Sequence, residues 1–165
     1  MVHVYILFGA GGAVYSGGLE SKLATMLRAL PGNVHVPKVL NYGAWPIFVS
    51  AIKSIPLDHP VVLIGHSIGA AMTTHIAHKV YPRRIHLVVG YDCTMWSRQM
   101  PMPDNVDQVI EFKGHSWVNP FGLRLLRKGA EDRYQTYSRS EAHIAFDDDL
   151  SLHGIVCQKV AALGE

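Results

Sequence analysis

Cysteine is scarce in this chain, and so is any surplus of charge. Cys93 and Cys157 are its 2 cysteines in 165 residues, and they form no spaced framework. That excludes a disulfide scaffold, and both thiols are expected to be reduced and structural. The 15 Lys and Arg stand against 13 Asp and Glu, a formal net charge of +2. So small a balance argues against a nucleic-acid partner. No apolar run reaches the length of a membrane span. The start, Met1-Val2-His3-Val4-Tyr5, lacks the basic opening of a signal peptide. A cytoplasmic protein is therefore expected. Neither G-x-G-x-x-G nor H-E-x-x-H occurs, so a dinucleotide site and a zincin-type site lack support. His75 and His78 lie three apart on a helical stretch, but no third ligand accompanies them. No metal and no cofactor is expected. Repeats, low-complexity runs and linkers are also missing.

What is present fits one domain over residues 1–165. The chain is 48% hydrophobic and 17% charged, which marks a globular protein with a core. Residues 2–8 are almost continuously apolar and β-rich, as in a strand buried on both faces. Glycines follow at 9, 11, 12, 17 and 18. Leu19, Leu23, Met26, Leu27 and Leu30 keep helical spacing, and Pro31-Gly32 stops that helix. Residues 34–40 read as a strand, with Pro37 arguing for an edge position. Residues 45–55 read as a helix with Pro46 in its first turn. Strands are expected at 61–64, 85–91 and 106–113, with an edge strand at 132–138. Helices are expected from the turn after Ser67 to about Val80 and over 150–163, the latter opened by Asp147-Asp148-Asp149. This order implies a three-layer α/β/α sandwich around a mostly parallel sheet of about six strands. Function should then sit at the C-terminal ends of the strands.

One stretch organises the rest. Val61-Val62-Leu63-Ile64 runs into Gly65-His66-Ser67-Ile68-Gly69, and a small-residue helix follows. This is G-x-S-x-G in a strand–turn–helix context. A serine at such a turn sits in strained backbone with its hydroxyl pushed out above the sheet. Side chains two residues to either side would collide with the turn, which explains Gly65 and Gly69. The helix N-terminus favours negative charge beside the serine. Here, and in its element order, the chain resembles the α/β-hydrolase superfamily of serine esterases, lipases and thioesterases, in a minimal form.

That resemblance implies a serine hydrolase acting on a small acyl ester or thioester through an acyl-enzyme. Ser67 would be the nucleophile, held in a triad whose chain order is serine, acid, histidine. The oxyanion would be held by the Ile68 N–H and by one from Gly11 or Gly12, in the loop after the first strand. His75, His78 and His86 come too early for the base, which leaves His115, His143 and His153. His143 stands in the segment before the last helix, where the family carries its base. His153 is expected on the surface of that helix. For the acid, many relatives use the loop after the strand that here ends near Lys113, but no carboxylate occurs from Gly114 through Lys128. Asp92, one strand earlier, matches the position used by some lipases and thioesterases. Asp147, expected to cap the helix, and Asp107 are the alternatives. Met95, Trp96, Trp117 and Phe121 are candidates for an apolar acyl wall, and the loops around them leave no length for a lid. A non-catalytic binding module on the same fold, or an acyltransferase with the same triad, stays open. So do the substrate's identity and the oligomeric state.

Overall fold

The computed structural model describes residues 1–10, 17–93, 101–114, 131–138 and 143–165. Its first strand, β1 (Val2–Phe8), is buried through most of its length and sends alternate residues to opposite faces. After the loop comes a π-helical segment, Leu19–Ala24, running into an α-helical turn, Thr25–Arg28; together these are α1. Then follow β2 (Val34–His35), β3 (Leu40–Asn41), a 3₁₀ turn Tyr42–Ala44 and α2 (Trp45–Ser54). β4 (Val61–His66) leads through Ser67 into α3 (Ile68–Val80), and β5 (Leu87–Tyr91) and β6 (Val109–Lys113) follow. A 3₁₀ turn Glu131–Arg133 precedes β7 (Tyr134–Ser138). A second, His143–Asp148, precedes α4 (Leu150–Ala162).

All the pairings are parallel, in the order β2-β1-β4-β5-β6-β7, with β3 also on β1. Among the described residues the sheet thus has 7 strands, against the expected six or so. The difference lies at one edge, where residues 34–40 form two short strands rather than one. Pro37 has no N–H to give a ladder. Side chains of α1 take up neighbouring backbone groups instead. Arg28 donates to the carbonyls of Val36 and Pro37, and Glu20 accepts from the Val39 N–H. β5 and β6 also start later than expected, with Ile85 and Val106 joined only by an isolated bridge.

Side-chain alternation builds the layers. Val4, Ile6, Val62, Ile64 and Val89 pack with Leu23 and Leu27 of α1 and with Leu152 and Val156 of α4. On the other face, Tyr5, Leu7, Leu63 and Val88 pack with Phe48 and Ile52 of α2 and with Ile76 and Ala77 of α3. Each such aliphatic side chain contributes roughly 1.5–3 kcal/mol by leaving water. Cys157 lies in the first layer and Cys93 in the second, so the sheet separates them and no disulfide joins them. Among the described residues, no helix is long and apolar enough to cross a membrane. From β1 the chain goes first to one side, to β2 and β3, and then to the other, to β4. The strand order therefore reverses between β1 and β4, and in open parallel sheets such a point opens a crevice at the strand C-termini.

Candidate active site

Ser67 stands in that crevice, between the last residue of β4 and the first of α3. Its φ of 57° and ψ of −125° belong to backbone that glycine alone adopts easily. Holding a serine there costs on the order of 1–3 kcal/mol. The Ser67 N–H donates to the Tyr91 carbonyl at 2.9 Å, and its own carbonyl accepts the Ala70 N–H at 3.1 Å. The two motif glycines are sterically required. A Cβ on Gly65 would overlap the backbone of Gly69 and Ala70, and one on Gly69 would overlap the Leu7 carbonyl. Gly9 is a third such position, which sequence reasoning passed over. A Cβ there would stand 2.7 Å from Ser67 Cβ and 3.1 Å from its Oγ. Asn41 holds the Gly9 carbonyl at 3.3 Å, tying the start of the loop to β3. Ile68, half-buried, opens α3 beside Ser67. Gly11 and Gly12 lie outside the described residues, as do Met95, Trp96, Trp117 and Phe121 of the expected acyl wall.

Asp92 follows Tyr91, and Tyr91 is in register with His66 on the adjacent strand. Ser67 and Asp92 therefore leave neighbouring strands side by side. Asp92 is 1% exposed and has a φ of 38°, a left-handed conformation that aspartate tolerates better than most residues. Its Oδ1 accepts the Gly114 N–H at 3.0 Å. A Cβ on Gly114 would stand 2.9 Å from a ring carbon of Phe146 and 3.1 Å from Asp92 Oδ2. Phe146 belongs to the turn that begins at His143, so that turn and Asp92 meet at one glycine. Several contacts anchor the turn. Phe146 is buried in the core, Asp147 Oδ2 accepts the Gly18 N–H at 3.2 Å, and Asp148 pairs with Lys22 at 2.6 Å. Gly18 has no room for a side chain, since a Cβ would overlap the Asp147 carbonyl.

Three expectations are corrected here. Asp147 is not the helix cap: Asp149 is, its Oδ1 accepting from Ser151 and Leu152. Asp147 is instead buried, and burial raises its carboxyl pKa. Asp107 precedes β6, at the edge of the sheet opposite Ser67, and pairs with Arg84 at 2.6 Å. That removes it as an acid for Ser67. His153 is not a surface residue, being fully buried on the inner face of α4 with partners on both ring nitrogens. Of the helical pair, His75 packs edge-on against Trp45, while His78 meets the Pro101 carbonyl at 2.8 Å.

No model of a known protein family matches this sequence, and no curated protein does. Solved structures do. A candidate hydrolase of the alpha/beta superfamily from Xanthomonas campestris pv. campestris superposes with a TM-score of 0.64 at 13% identity, over 99% of this chain and 98% of that one. This chain has the α/β-hydrolase fold. Human thioesterase 2 gives 0.61 at 11% identity, over 100% of this chain and 99% of its own. A methylesterase from Arabidopsis gives 0.61 at 14%, over 98% and 100%. In this α/β-hydrolase fold, Ser67 occupies the strand-to-helix turn at the crevice and Asp92 the end of the next strand.

Proposed function

We propose that this protein is a serine hydrolase that cleaves carboxylic esters or thioesters through an acyl-enzyme. The observation that carries the reading is the backbone of Ser67. A non-glycine residue held at φ 57°, between two glycines that admit no side chain, is strain kept at one point of the sheet edge. Two of the similar structures are a thioesterase and a methylesterase by name, which fits this chemistry. Ser67 Oγ attacks the acyl carbonyl and the alcohol or thiol departs, leaving the acyl group on the serine. Water then releases the acid by the reverse route. His143 takes the serine proton and passes it to the leaving group. Asp92 orients that imidazole and balances its charge once protonated. The Ile68 N–H and one from Gly11 or Gly12 hold the oxyanion. The acyl-binding role is assigned to Met95, Trp96, Trp117 and Phe121 on the apolar character of their side chains alone.

A panel of p-nitrophenyl esters of rising chain length tests this. Turnover is expected, highest for short to medium chains, and lost by several orders of magnitude in Ser67→Ala. Undiminished turnover by a folded Ser67→Ala protein would refute the serine mechanism.

A further inference from the structure

Tyr91 and His153 form a buried polar pair in the layer that α1 and α4 pack against the sheet. Both are 0% exposed. Tyr91 Oη lies 3.1 Å from His153 Nδ1, and His153 Nε2 lies 2.9 Å from the Asp147 carbonyl. The chemistry of these partners assigns the protons. A carbonyl only accepts, so Nε2 carries the hydrogen. The neutral ring then offers Nδ1 as acceptor, and the Tyr91 hydroxyl donates to it. A second proton, on Nδ1, would turn the hydroxyl hydrogen away and deprive it of this acceptor in a buried site.

Each end of this link reaches a different part of the candidate site. The Tyr91 carbonyl accepts the Ser67 N–H, and Asp92 is the next residue in the chain. At the other end, Asp147 belongs to the turn His143–Asp148 and holds the start of α1 through Gly18. We propose that Tyr91 and His153 are positioning residues: a neutral His153, clamped between the Tyr91 hydroxyl and the Asp147 carbonyl, sets the base-bearing turn in place against the serine elbow. This rests on the hydrolase reading for its catalytic consequence, but the clamp itself does not depend on that reading. Burial lowers the His153 pKa and raises that of Tyr91, both toward the neutral forms the clamp needs. The charged neighbours of His153 are Asp148, Asp149 and Lys22.

The test uses two variants of the whole chain. Tyr91→Phe with His153→Leu replaces donor and acceptor together by apolar groups of similar size, which spares the fold a buried unpaired hydroxyl. His153→Gln keeps an amide N–H for Asp147. On an activated ester, the double variant is expected to lose about 10- to 100-fold in kcat with KM nearly unchanged, as for a misplaced catalytic group. His153→Gln is expected to recover most of that loss. Amides of residues 143–148 should exchange faster in the double variant. A folded double variant with wild-type kcat and unchanged exchange would overturn the clamp. If the wild type turns over no ester, the hydrolase reading fails alone, and exchange decides the clamp: faster exchange supports it and unchanged exchange overturns it. If the double variant does not fold, nitrogen NMR of the wild-type ring decides. An Nε2–H tautomer held from pH 8 to 5.5 supports the clamp, and a ring that titrates near pH 6.5 overturns it.

Discussion

Replacing Ser67 by glycine should stabilise this protein more than replacing it by alanine. At ordinary sites the order is the reverse, because glycine gives up about 0.5–1 kcal/mol more conformational entropy on folding than alanine. At φ 57° and ψ −125°, however, any residue with a Cβ is strained. Relief of that strain is worth on the order of 1–3 kcal/mol, which outweighs the entropy term. The net expectation is that Ser67→Gly exceeds Ser67→Ala by up to about 2.5 kcal/mol. Both variants lack the hydroxyl, so the loss of its interactions cancels in the comparison. Urea unfolding followed by circular dichroism, with matched slopes, reads the difference. An alanine variant as stable as the glycine variant, or more so, would refute the claim that strain is stored at the elbow.

Gly69→Ala should cost more than 3 kcal/mol, or prevent folding, because the new Cβ would meet the backbone of β1 rather than a side chain able to move; thermal and urea unfolding check this, against roughly 1–3 kcal/mol for ordinary overpacking. His143→Ala should lower kcat/KM on an ester about as much as Ser67→Ala does, since the two would act as a unit. Asp92→Asn should fall between these variants and wild type, because an amide holds the ring but favours the wrong tautomer. Stability should also decline as pH falls below about 6.5. His3, which stacks on His59 and meets His35 edge-on, has its pKa lowered, first by burial and then by those two rings. A lowered histidine pKa means that the unfolded chain binds the proton first. The stability is thus complete above the unfolded value and is lost as pH drops through the folded one. Burial lowers His86 and His153 in the same direction. Urea midpoints from pH 8 to 5 should fall, and His3→Gln should flatten the fall.

The layers were legible because alternation and helical spacing each report one buried face. Leu19, Leu23 and Leu27, for instance, point into the core that Val4 and Ile6 supply. The elbow was legible because its motif is local, and the steric demand on Gly65 is made within five residues, by the backbone of Gly69 and Ala70. What escaped the sequence depends on contacts between distant segments. Nothing near Pro37 announces that Arg28 and Glu20 will occupy the backbone that a longer strand would need. The acidic run 147–149 looks uniform, yet only Asp149 caps the helix, while Asp147 turns inward to Gly18. His153 reads as a surface residue because α4 is apolar on much of its circumference, and its partner Tyr91 lies 62 residues away. Gly9 and Gly114 each follow a strand directly, and that position was the available clue to their closeness to Ser67 and Asp92.

The most direct measurement of the central claim is intact-mass spectrometry of the native chain after treatment with a fluorophosphonate, followed by peptide mapping. The expected result is one adduct, on Ser67, absent from Ser67→Ala. A folded chain that takes up no label, or one labelled elsewhere with Ser67 unmodified, would contradict it.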